Sequence, residues 1–201
     1  MGRAAFSGLG GIGKTQTAVE YAYRHKDDYS HILWVKAESK ESLTSDFAQL
    51  ASLLNLPLKQ EQDQQEVVKA VQRWFSHHDH WLLLLDNADD LSLIQSFIQD
   101  LQSGHVLFTT RAQATGTISR VEVRKLPEHE GVVFLLRRAK LITTDTSYEA
   151  IPKELRTQAL NIVKELDGLP LALDQAGAYI EETQCGPADP RTLPNPWCRA
   201  S

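Results

Sequence analysis

Cysteine is nearly missing from this chain. Of 201 residues only Cys185 and Cys198 carry a thiol, both close to its end. Neither has a second CxxC or a histidine beside it, which argues against a zinc site and makes a reduced, cytoplasmic setting the default. Long apolar runs are missing too: no stretch approaches the ~20 residues of a membrane span, and no secretory signal is visible. Basic charge is not in excess. The net charge is −5 and the pI is near 5.8, which argues against a surface that coats nucleic acid. Met1-Gly2 opens like a myristoylation site, but position 6 is Phe6 and the motif fails. No internal repeat is found. What remains is 42% hydrophobic, enough for a proper core in one large domain or one and a half small ones.

The stretch Gly8–Thr15, GLGGIGKT, stands out. It fits G-x-x-x-x-G-K-[ST], a phosphate-binding loop. Gly8, Gly10, Gly11 and Gly13 are expected to take positive φ and to bring the backbone close to an anion. Successive N–H groups then form a nest for phosphate. Lys14 reaches the β- and γ-phosphates, and Thr15 offers a hydroxyl to Mg²⁺, a cation that prefers hard oxygen ligands. The helix that starts here aims its positive end at the phosphates. Ile12 and Gln16, within and just after the loop, complete the nucleotide-contacting candidates. Gly8, Gly10 and Gly13 also spell G-x-G-x-x-G, the dinucleotide fingerprint, with Glu38 as the acidic residue after a second strand. The loop alone leaves both ligands open, and with them a glycine-rich turn that binds nothing.

Only Arg3–Ser7 precede the loop as a strand, and the expectation is a natural protein or a longer relative that continues upstream. A helix is read over Thr15–His25, and a strand over His31–Ala37, an apolar run suited to a parallel strand buried on both faces. Glu41–Leu54 is amphipathic, and Pro57 ends it. Lys59–Glu66 is polar and biased, a loop or an exposed helix start, and a helix then runs to about His77. The cluster His77-His78-Asp79-His80 reads as a polar helix end rather than a metal site.

Trp81–Asp86, WLLLLD, is a second decisive stretch: a buried parallel strand with a carboxylate at its carboxyl end, where open α/β sheets bind ligands. An aspartate there can hold Mg²⁺ through its water shell, the Walker B arrangement; the other reading of Asp86 is a cap for the next helix. Asp89 or Asp90 caps the next helix, Leu91–Leu101. His105–Thr110, HVLFTT, is a third apolar strand. Arg111, just past its end, is read either as a sensor of a γ-phosphate or as an exposed arginine held in a salt bridge. Ile118–Lys125 alternates, as an edge strand with one wet face does. From Pro127 the pattern is all-helical, with Pro170 in the first turn of the last helix. The fold class expected is therefore α/β, a P-loop NTPase with a mostly parallel five-stranded sheet over residues 1–125. A small helical subdomain follows over 126–183, and then a proline-rich tail, 184–201, read as disordered.

Taken together, GLGGIGKT, LLLLDNADD at Leu82–Asp90, FTTR at Phe108–Arg111 and GLPLAL at Gly168–Leu173 resemble the NB-ARC family of STAND-class NTPases. The resemblance covers about Arg3 to Thr183 and favours the phosphate-loop reading over the dinucleotide one. It implies an adenine nucleotide held between the α/β part and the helical part, with Pro170 near the adenine and Arg111 sensing the γ-phosphate. It implies a switch: ADP locks a closed monomer, and ATP opens it to self-oligomerisation or to protein partners. Bacterial and fungal members often carry tetratricopeptide repeats downstream, and plant and animal relatives act in immunity and cell death. Many members have a second acid after the Walker B aspartate; here it is Asn87, which cannot take a proton from an attacking water as a carboxylate does. The family's winged-helix subdomain and a preceding effector domain are not found, so the chain resembles a core cut from a larger switch.

The function expected is an ADP/ATP-binding module of a signalling NTPase with slow hydrolysis at most. Lys14, Asp86, Asn87 and Arg111 form its catalytic set, and Thr15 and Asp86 its Mg²⁺ set. The alternatives are a housekeeping ATPase with steady turnover and a fragment that binds nothing. No membrane and no direct nucleic-acid contact are expected.

Overall fold

The computed structural model describes residues 2–57, 63–101, 103–113, 115–116 and 118–183. The tail expected to be disordered, 184–201, and residues 59–62 of the polar stretch 59–66 lie outside the described residues. The chain divides into two compact units, Met1–Val123 and Arg124–Ser201, against a boundary after residue 125 read from the sequence.

The first unit is built on a five-stranded sheet of β1 (Gly2–Ser7), β2 (His31–Lys36), β3 (Trp81–Asp86), β4 (His105–Thr110) and β5 (Ser119–Glu122), in the order β2-β3-β4-β1-β5. Every pairing is parallel. The expected fold class is therefore met. Parallel neighbours need crossovers, and helices α1 (Lys14–Arg24), α2 (Lys40–Leu53), α3 (Gln64–His77) and α4 (Leu91–Ile98) supply them.

The four leucines in a row on β3 are explained by the two covered faces. Leu83 and Leu85 point into a cluster with Leu43, Phe47, Phe75, Phe97, Val106 and Phe108. Leu82 and Leu84 point the other way, to Phe6, Ala18 and Leu107. Trp81 is fully buried at the start of β3, and its Nε1–H donates to the carbonyls of Phe75 (3.1 Å) and His78 (2.9 Å), closing the end of α3. His77 and His78 direct their Nδ1 atoms to the carbonyls of Arg73 and Trp74, at 2.7 and 2.8 Å, and finish the same helix.

Helix α4 is shorter than expected and stops at Ile98, with Asp90 as its cap. Strand β5 also departs from expectation. It is the sheet's edge and pairs only with β1, but all four of its residues are exposed, Val121 at 48%. The alternation gives no buried face over these residues; the apolar contact comes one residue later, from Val123.

The second unit packs α5 (Glu128–Arg138), α6 (Lys153–Glu165) and α7 (Pro170–Thr183) around Val132, Leu135, Leu136, Ala159, Ile162, Val163, Leu173 and Ile180. Arg138 of α5 donates to Asp174 (3.0 Å) and Glu181 (2.5 Å) of α7. Asp167 and Gly168 adopt φ of 54° and 63° and end α6. Pro170 is the first residue of α7, where a missing N–H costs nothing.

Candidate functional site

The loop between β1 and α1 is shaped by two close constraints. Gly8 leaves β1 with φ +152°, and a Cβ there would stand 2.8 Å from the carbonyl oxygen of Val123. Val123 in turn donates its N–H to Ser7 at 2.8 Å. Gly13, at φ 95° and ψ 17°, is the left-handed N-cap of α1. Gly11 is also at positive φ, 73°. Gly10 is not: it falls outside the positive-φ set, and a Cβ added there meets nothing within 4 Å. The expectation that all four glycines take positive φ fails at this position, because the turn is completed by its neighbours. Ile12 is buried, 3% exposed, and its Cγ2 would lie 3.2 Å from a Cβ on Gly8. Its side chain anchors the loop and leaves only its backbone to face a ligand. Gln16 is exposed.

Lys14 opens α1, and its Nζ donates to the carbonyls of Gly8 (3.0 Å) and Leu9 (2.8 Å) within its own loop. Burial holds its ammonium below the usual lysine value, Asp89 opposes that shift, Arg111 adds to it, and Asp86 opposes it. Lys14 therefore sits among the charges at the carboxyl ends of β3 and β4.

Those ends form a connected polar cluster. The Thr15 hydroxyl donates to Asp86 Oδ1 at 2.8 Å. The Thr109 hydroxyl donates to the same oxygen at 2.5 Å and accepts the Asn87 N–H at 2.9 Å. Two hard oxygens, Thr15 Oγ1 and Asp86 Oδ1, thus meet beside the loop, a donor set that fits a Mg²⁺ carried in with phosphates. Asn87 is exposed and left-handed at φ 58°, a conformation that asparagine tolerates better than most residues.

Arg111 lies at the end of β4 against Asp89. Asp89 Oδ1 accepts the Arg111 N–H and Oδ2 accepts its Nε–H, each at 2.6 Å, and Nη2 lies 2.5 Å from Oδ2. Burial pulls the Asp89 carboxyl upward, but the backbone and side-chain hydrogen bonds from Arg111 outweigh it and hold it below the usual carboxylate range.

The structure thus gathers the glycine loop, Lys14, Thr15, Asp86, Asn87 and Arg111 in the first unit. Pro170 belongs to the second, half-buried at the start of α7. Two residues that tie this cluster together escape the sequence reading. Thr109 is 2% exposed and bonds both Asp86 and Asn87; its signal was a pair of threonines closing an apolar strand. Asp89 stood only as one of two cap candidates.

The strand order decides between the two ligand readings of the loop. In the dinucleotide fold the first two strands are neighbours, which sets an acid at the end of the second beside the glycine loop. Here β1 lies between β4 and β5, and β2 is three places away. Glu38 therefore follows the wrong strand for that role. A family model described as AAA domain matches residues 2–119, more than half of the chain.

The chain belongs to the AAA domain family.

Similar proteins agree with this class. An NLR-like nucleotide-binding leucine-rich repeat protein of Hyaloscypha variabilis is 27% identical over 206 residues, covering 90% of this chain. A signal-transduction ATPase with numerous domains and a tetratricopeptide repeat sensor, from Pyrococcus horikoshii, matches 86% of this chain at TM-score 0.56 and 17% identity. Cdc6p from Pyrobaculum aerophilum matches 90% at TM-score 0.62 and 17% identity. The chain spans only 20% of the length of the first, 26% of the second and 56% of the third.

Proposed function

We propose that this AAA domain is the adenine-nucleotide switch of a larger signalling NTPase of the NB-ARC and STAND type, with slow ATP hydrolysis at most. The observation that carries the reading is the Thr15–Asp86–Thr109 cluster beside Lys14, followed by an amide at Asn87. Lys14 and the loop N–H groups bind the phosphates, and Thr15 and Asp86 hold Mg²⁺, which supplies charge neutralisation when bound. Asn87 orients a water but cannot accept its proton, so the general-base contribution is missing. Arg111 senses the γ-phosphate and Pro170 packs near the adenine, as in the family the motifs resemble. The NLR-like relative supports a nucleotide-binding module within a larger protein. Self-association or partner binding in the ATP state, in the cytoplasm, follows from the same reading.

The test is the nucleotide that copurifies, together with the turnover rate. Near-equimolar ADP and slow turnover are expected, and Asn87→Asp should raise turnover by at least about tenfold. Copurifying NAD, or rapid steady turnover by the unaltered protein, would overturn the proposal.

A further inference from the structure

The pair of aspartates after β3 divides its labour. Asp90 caps α4, with Oδ1 accepting the N–H groups of Ser92 (3.0 Å) and Leu93 (3.1 Å). That leaves Asp89, which the helix does not need. Its carboxylate instead holds Arg111 by the backbone N–H, by Nε and by Nη2, and takes a fourth contact, from the Thr110 hydroxyl at 3.2 Å. The Nε–Nη2 edge of a guanidinium is one of those that grip a phosphate with two parallel bonds. In this structure that edge is spent on a carboxylate.

We propose that Asp89 is a latch on Arg111 that sets the preference of the site for a nucleoside diphosphate over a triphosphate. This rests on the nucleotide-site reading above and adds the regulation of its γ-phosphate position. Asp89 stands where phosphate charge is felt: among the charges acting on Lys14 it comes first, ahead of Arg111 and Asp86. The Asp89 side chain is a third exposed, so its charge is only partly screened. With the latch closed, Arg111 and Asp89 cancel. An incoming γ-phosphate meets the Lys14 charge already offset by Asp86, and gains nothing from Arg111. A diphosphate, which ends one phosphoryl group short, is indifferent to the latch. Triphosphate binding therefore bears the cost of parting Arg111 from Asp89, and any signal that loosens this contact favours the triphosphate state. Asp89 acts through Arg111 and is a positioning residue.

The experiment compares the dissociation constants of Mg-ADP and a non-hydrolysable Mg-ATP analogue on the full chain. Asp89→Asn keeps an oxygen for the Arg111 N–H and removes the charge that holds the guanidinium. It should lower the ATP-to-ADP ratio of dissociation constants by at least about tenfold, chiefly by tightening the triphosphate. Arg111→Ala added to Asp89→Asn should abolish that gain, which a general loss of negative charge near the site would not. Melting curves check that each variant folds, and Asp89→Ser gives the same reading should the amide variant fail. An unchanged ratio overturns the latch and leaves the nucleotide site standing. Failure of the unaltered protein to bind either nucleotide overturns both.

Discussion

Thr109 carries two hydrogen bonds with one hydroxyl. It donates to Asp86 and accepts from the Asn87 N–H in a position that is 2% exposed. Thr109→Val keeps the shape and removes both bonds, leaving the Asn87 N–H unpaired. We expect a loss of about 1–3 kcal/mol, read by chemical denaturation, with Thr109→Ser restoring most of it. A smaller loss would mean that water replaces the hydroxyl. At this scale the sequence was legible wherever a residue type has few other uses. Lys14, Thr15 and Asp86 were named from spacing, and Thr15 and Asp86 are found in contact at 2.8 Å. Thr109 and Asp89 were not legible, because a threonine in a strand and an aspartate before a helix have common structural uses. Asn87 was read for its chemistry alone, whereas its φ of 58° gives a backbone reason for asparagine as well.

Among elements, α5 and α6 meet closely at Gly131. A Cβ there would lie 2.8 Å from Val163 Cγ1 and 3.3 Å from Cγ2. Alanine in a helix is favoured over glycine by about 1 kcal/mol, but valine is confined to essentially one rotamer in a helix and cannot swing aside. Overpacking costs about 1–3 kcal/mol, so Gly131→Ala should lower the melting temperature; an increase would mean that α5 shifts freely. The elements themselves were readable: the helices expected at Thr15–His25 and Glu41–Leu54 appear at Lys14–Arg24 and Lys40–Leu53. Their periodicity is a local property. The exposure of β5 was not readable, since alternation shows which residues share a face but not whether anything covers it. Nor was the insertion of β4 between β1 and β3, because strand order is decided by crossovers of many residues.

On the scale of the whole molecule, each unit has its own apolar core, and ligand linkage tests the functional reading directly. Mg-ADP at one hundred times its dissociation constant should stabilise the protein by about 2.7 kcal/mol. Lys14→Ala should abolish that gain while remaining folded, because Nζ bonds only carbonyls of its own loop. Equal stabilisation of Lys14→Ala and the unaltered protein would sink the phosphate-loop assignment.

The strand order also has a consequence for synthesis. Both neighbours of β1 come late: Gly2 pairs with His105, and Ala4 with Ser119. A ribosome adding 5–20 residues per second therefore leaves β1 without a partner for on the order of ten seconds. Meanwhile β2 and β3 can already pair, Lys36 against Asp86. The strand that leads into the glycine loop is the first of its sheet to be made and among the last to be seated, so the loop acquires its shape only after both late neighbours have been made.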